Sequence, residues 1–142
     1  MPCAEGDPGR VAPDSPDLVY WEMFMAPLQG EYTPYLTLST EKYGGQAVLV
    51  KQSLTTPRVS YNMVGQEGHY KDGRFMRLEF PDVVVRSVYA PFNGKGKEAQ
   101  LERRRAWDEE MFVEMTLKPQ EGQGRVLMGD LNVVYRDSDM SP

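Results

Sequence analysis

Asp130 and Asn132, within the stretch Val-Leu-Met-Gly-Asp-Leu-Asn-Val-Val at residues 126–134, are the side chains of this sequence most suited to chemistry. In an extended chain successive side chains alternate faces, so the carboxylate and the amide share one face while Leu131 and Val133 share the other. Such an oxygen pair suits a hard cation such as Mg²⁺, which takes oxygen ligands and keeps several waters. It equally suits a carboxylate held by an amide to position a water. Asp and Asn also favour turns, so the pair could simply cap a strand.

A second cluster lies in Ser-Val-Tyr-Ala-Pro-Phe-Asn-Gly-Lys-Gly-Lys, residues 87–97. Tyr89 ends a strand, and a glycine-punctuated loop then carries Asn93, Lys95 and Lys97. Phenol, amide and ammonium donors beside exposed backbone N–H groups can bind phosphate. Between 95 and 105 the basic residues Lys95, Lys97, Arg103, Arg104 and Arg105 face only Glu98 and Glu102, a local excess of +3. A solvated helix face is the plainer reading of that run.

The rest of the composition narrows the classes. The net charge of −5 gives no general attraction to polyanions, so any nucleic-acid contact is local. The single cysteine, Cys3, excludes an internal disulfide and a cysteine-based metal cluster, and the single histidine, His69, argues against a multi-histidine zinc site or a Ser-His-Asp triad. His69 reads as a loop residue. No apolar run reaches membrane-spanning length and no signal peptide is evident, so the chain reads as soluble and unsecreted.

Several elements must position these residues. Residues 1–17 hold four prolines and two glycines with few large apolar side chains and read as a disordered leader. The following Asp-Leu-Val-Tyr-Trp-Glu-Met-Phe-Met-Ala fits a short helix ending before Pro27 or, by its aromatic and β-branched content, a strand. From residue 31 short alternating runs, Tyr-Thr-Pro-Tyr-Leu-Thr, Gln-Ala-Val-Leu-Val-Lys, Val-Ser-Tyr-Asn-Met-Val, Arg-Phe-Met-Arg-Leu-Glu-Phe and Val-Val-Val-Arg-Ser-Val-Tyr-Ala, predict five strands of one meander-like antiparallel sheet. Residues 98–118 contain no Gly or Pro and predict a helix whose Trp107, Met111 and Met115, with Phe112 beside them, form an apolar core stripe. A last run, residues 125–134, is apolar nearly throughout, as expected of a strand covered on both faces.

In this order and spacing, Tyr-Gly-Gly-Gln-Ala-Val-Leu-Val-Lys, Gly-Arg-Phe-Met-Arg-Leu-Glu-Phe, Val-Tyr-Ala-Pro-Phe-Asn-Gly-Lys-Gly-Lys, Arg-Arg-Arg-Ala-Trp-Asp-Glu-Glu-Met and Gly-Asp-Leu-Asn resemble the exonuclease III type of apurinic/apyrimidinic (AP) endonuclease, within the endonuclease/exonuclease/phosphatase superfamily. The resemblance spans about residues 28–142. It implies an α+β fold, part of a four-layer α/β sandwich, with mostly one antiparallel-rich sheet and a covering helix over residues 18–142. It implies Mg²⁺-dependent hydrolysis, with Mn²⁺ an alternative, of double-stranded DNA 5′ to abasic sites in base excision repair. Asp130 would activate water and, with Asn132, face the metal; Tyr89 and Asn132 would hold the scissile phosphate; Asn93, Lys95 and Lys97 would touch the DNA backbone. Phe92 stands where the family has asparagine, with Asn93 one place later. Asp139 resembles a second, supporting acidic residue.

The family's first-strand asparagine, metal-binding glutamate and terminal aspartate and Asp-His pair are not identifiable in this sequence, and Glu22 lacks the glutamate's context. The resembling part looks like the middle of a domain about twice this length, which leaves a sheet face open for self-association or for a complementary chain. A superfamily phosphatase acting on another phosphoester and a noncatalytic interaction module are the alternative functions. The resemblance implies an intracellular protein, nuclear in the first instance, with organellar or bacterial cytoplasmic settings as alternatives.

Overall fold

The computed structural model describes residues 22–39, 44–66, 71–94, 97–134, 136 and 138. The leader, Trp21, His69, Lys95 and Asp139 lie outside them. Residues 22–25 are helical and run into a short 3-10 turn, Ala26–Leu28, so the helical reading holds for the described part. Pro27 falls inside that turn rather than beyond it, because a first-turn proline has no intrahelical N–H bond to lose.

Six strands follow: β1 Tyr32–Thr37, β2 Gln46–Lys51, β3 Arg58–Ser60, β4 Phe75–Glu79, β5 Val83–Tyr89 and β6 Gly124–Asp130. One long helix, α1 Glu98–Thr116, lies between β5 and β6. The expectation of a single meander is corrected here. β1 and β2 form a separate two-stranded antiparallel sheet, while β3, β4, β5 and β6 form a four-stranded sheet in that order. Alternation shows that each strand has two unlike faces but does not say which strand is its neighbour. Pairs β3–β4 and β4–β5 are antiparallel, and β6 joins β5 in parallel, with α1 as the crossover that a parallel pair requires.

Period-two alternation along β4 sorts the sheet into two faces. Met76 and Leu78 pack with Val50 of β2 and are lined by Tyr35, Val48, Val59 and Val85, so the β1–β2 hairpin covers this face. Phe75 points to the other side and joins Met63, Val88, Ala90, Trp107 and Met111 beneath α1. The result is three layers: hairpin, sheet and helix. Trp107 and Met111 are buried as the stripe predicts, and Met115 packs at its margin. Phe112 is the correction, at 71% exposed, because one residue past Met111 the helix has turned about 100° away from the sheet.

The third buried position on α1 carries a charge. Glu114 is 0% exposed and its carboxylate accepts from Arg77 Nη1 at 2.8 Å, Arg86 Nε at 2.8 Å and the Val64 N–H at 3.0 Å. Three positions beyond Met111, it lies on the buried face by helical spacing. Arg86 Nη2 also donates to the Glu114 carbonyl at 3.4 Å and Arg125 Nη1 to the Met115 carbonyl at 3.2 Å. The sheet thus supplies the cationic partners that helix-end carbonyls favour, although the helix has no basic residue in its own last turn.

Ion pairing continues across the strands. Arg77 Nε donates to Glu79 Oε1 at 2.9 Å, and Arg58, opposite Glu79 in the β3–β4 register, donates to Oε2. Burial pushes the Glu79 carboxyl up, but the Arg58 and Arg77 guanidiniums pull it down further and leave it below its ordinary value. A depressed folded-state pKa stabilises above the unfolded-state pKa, and that stabilisation disappears as pH falls through the folded value. Urea midpoints measured from pH 6 down to 3 should therefore fall for the wild type, and Glu79→Gln should flatten part of that decline.

Strand β6 departs furthest from expectation. It was to be covered on both faces, yet every residue from Gly124 to Asp130 is exposed, with Val126, Leu127 and Met128 at 40–42%. The cause is its place: β6 is the edge of the sheet, bonded to β5 on one side only.

Candidate active site

The site is built where β5 and β6 end side by side. Parallel register sets Tyr89 opposite Asp130, and the Ala90 N–H donates to the Asp130 carbonyl at 2.8 Å, which carries the pairing one residue past the strands. Opposite residues in a pair share a face, so the phenol and the carboxylate lie on the same side of the sheet.

Asn132 reaches this point by a different route from the one the spacing suggested. The strand stops at Asp130, and Asn132 has a φ of 48°, a left-handed conformation that asparagine tolerates better than most residues. Asp130 Oδ1 accepts the Asn132 N–H at 2.8 Å, a side-chain-to-backbone turn. The Asn132 amide Nδ2 donates in turn to the Ala90 carbonyl at 2.7 Å. The turn-former reading holds: the turn aligns the Asp130 carboxylate and pins Asn132 to the end of β5.

Two arginines that sequence reasoning left aside complete the frame. Arg74, immediately before β4 and buried, stacks over the Tyr89 ring at 4.5 Å and donates Nη1 to the Tyr89 carbonyl at 3.1 Å. Its signal was present in the alternation, since residue 74 shares the inward face of Met76 and Leu78, where a charge calls for a purpose. The sequence groups Arg104 with a solvated basic patch. Arg104 instead bonds the Pro91 carbonyl at 3.1 Å and the Asn132 carbonyl at 3.4 Å, and pairs with Asp108 four residues along the helix, so α1 clamps both strand ends.

Asn93 lies exposed in the loop after β5, outside the lining of the groove that borders Tyr89 and Asn132. Lys97 is the exposed N-cap residue of α1, with no side-chain capping bond. Thus Tyr89, Asp130 and Asn132 converge, whereas Asn93 and Lys97 stand at the periphery.

A Mg²⁺ ion takes oxygen ligands in near-octahedral geometry, commonly one or two carboxylates with substrate phosphate and water. Asp130 and Asn132 fit only part of such a shell. Among the described residues no group of three or more His, Cys, Asp and Glu is placed to hold a metal ion. What the described residues do by themselves is orient one exposed carboxylate beside a tyrosine whose ring and backbone are fixed by Arg74.

No protein-family model matches the chain. Curated relatives do: it is 34% identical over 114 residues to a DNA-(apurinic or apyrimidinic site) endonuclease of Plasmodium berghei and 34% identical over 111 residues to an exodeoxyribonuclease of Bacillus subtilis, each match covering 78% of the chain. The chain is related to part of the exonuclease III-type AP endonucleases. It spans 21% of the Plasmodium protein and 42% of the Bacillus protein. The structure of an AP endonuclease from Archaeoglobus fulgidus superposes with a TM-score of 0.61 at 16% identity, over 91% of this chain and 46% of that one, which shows a shared fold. The α+β reading and the partial sandwich stand on that likeness. In this AP-endonuclease relative no helix among the described residues is long and apolar enough to cross a membrane.

Proposed function

We propose that this chain carries the water-activating and phosphate-holding part of a Mg²⁺-dependent AP endonuclease, which cleaves double-stranded DNA 5′ to abasic sites in base excision repair. The convergence of Tyr89, Asp130 and Asn132 at one end of the β5–β6 pair supports this reading, because the register, the turn and the amide bond to Ala90 all serve to fix those three side chains. Asp130 is the group that would take a proton from water, and Tyr89 and Asn132 the ones that would hold the phosphate. Asn93, Lys95 and Lys97 would contact the flanking backbone. Mg²⁺, or Mn²⁺ in its place, would neutralise charge developing on the phosphoryl group, with Asp130 and Asn132 among its oxygen donors.

Substrate choice separates this reading from a superfamily phosphatase. Incision of an abasic duplex without release of phosphate from a soluble aryl phosphate is expected. Turnover of the aryl phosphate alone would transfer the chain to the phosphatase reading.

The noncatalytic alternative draws on one observation, the exposed edge of β6. An open strand bearing Val126, Leu127 and Met128 is a template for pairing with another chain. We expect concentration-dependent association by analytical ultracentrifugation, reduced in Leu127→Lys. A monomer at all concentrations would leave that edge without a partner of its own kind.

A further inference from the structure

The groove that borders Tyr89 has a volume of about 480 Å³ and a composition unlike a bare phosphate site. Its walls include Arg74, Arg103, Asn132 and Phe92, and among the described residues no carboxylate lines it. Arg74 is 6% exposed, and its Nε finds no hydrogen-bond partner although the rest of the guanidinium stacks on Tyr89 and bonds the Tyr89 carbonyl. Arg103 is drawn to this side by Asp72, at 3.6 Å. Two guanidiniums, that of Arg103 paired with Asp72, thus stand in this wall in a chain of net charge −5.

Phe92 is the unexpected member. It is 57% exposed and follows the buried Pro91, whose ring limits the backbone that presents it. A phosphate needs no apolar ring beside it, whereas a nucleobase does: base–aromatic stacking is tolerant of sequence and strong for unpaired bases. A cleft of several hundred Å³ also matches the size of small-ligand sites.

We propose that this groove binds an unpaired deoxyribonucleotide of single-stranded DNA, its phosphate toward Arg74 and Arg103 and its base stacked on Phe92. The inference deepens the phosphodiesterase reading and rests on it for the choice of DNA as ligand. Phe92 would then add a preference for a base next to the cleaved linkage.

The test compares fluorescence-anisotropy binding of a short labelled oligothymidylate with that of an abasic sugar-phosphate oligomer of equal length and charge. The wild type should bind the oligothymidylate about 5- to 100-fold more tightly. Phe92→Ala should equalise the two affinities and Phe92→Trp restore the difference, with circular dichroism unchanged in both. Equal affinities in the wild type, or a preference that survives Phe92→Ala, would overturn the proposal. Incision assays on the same preparations keep the two readings apart. Loss of incision with the base preference intact counts against hydrolysis alone, and incision without the preference counts against stacking alone.

Discussion

Glu114→Ala should lower the stability of the folded chain by about 3–5 kcal/mol, the usual cost of removing one partner from a buried ion pair. The carboxylate is fully buried and neutralises two guanidiniums at once, Arg77 and Arg86, of which Arg86 is itself 3% exposed. Alanine leaves both cations desolvated against β4 and β5, deprives the Val64 N–H of its acceptor and opens a void beneath the end of α1. Against a total stability of roughly 5–15 kcal/mol for a domain, that loss should depress the thermal midpoint by on the order of 10 °C or more. Replacing all three charges with apolar residues of similar volume should recover most of it, because the pairing offsets a desolvation cost that the apolar triple does not incur. A Glu114→Ala midpoint within a degree or two of wild type would show that the helix is held by Trp107 and Met111 alone.

Gly129→Ala should disable the site and weaken the β5–β6 pair together. Gly129 has a φ of 128°, and a Cβ there would stand 1.9 Å from the Val88 carbonyl oxygen, a backbone atom paired to it across the two strands. Neither conformation nor neighbour can give way, so the end of β6 must shift. Backbone strain of about 1–3 kcal/mol and a displacement of Asp130, the next residue, follow. Misplacing a reacting group by about 1 Å can cost roughly 100-fold in rate, which is the loss expected in DNA incision. Gly122→Ala supplies the control: its φ of 80° is also left-handed, but nothing lies within 4 Å of the added carbon. If the two variants lose stability and incision alike, the close approach at Val88 is not what matters.

Much of the architecture is legible in residue patterns, and the limits of that legibility have physical causes. Alternation in Phe-Met-Arg-Leu-Glu assigns Met76 and Leu78 to one face and Phe75 to the other, and all three are fully buried. Helical spacing likewise assigns Trp107 and Met111 to the core. Pairing partners are less accessible, since a strand's pattern reports its faces and not its edges. For that reason the split into two sheets and the open edge at β6 were both missed.

Long-range ion pairs are hidden for a related reason. Glu114 reads as one acid in a charged helix until the sheet places Arg77 and Arg86, 37 and 28 residues away, beneath it. Gly-Asp-Leu-Asn marks the end of β6, but strand alternation misplaces Asn132. A single left-handed residue turns it back to the Ala90 carbonyl. Arg74 carried a readable signal, a charge at an inward position of β4's alternation, as Glu114 did by its helical spacing from Met111.

The most direct measurement is Mg²⁺-dependent incision of a labelled duplex containing one abasic-site analogue, by the folded chain and by Asp130→Ala. If Asp130 activates the attacking water, product appears on the 5′ side of the lesion and the variant reduces its rate by about 10²–10⁴-fold. Product formed equally by the variant, or none from the folded wild type, would contradict that role and leave binding as the function of the Tyr89–Asp130–Asn132 cluster.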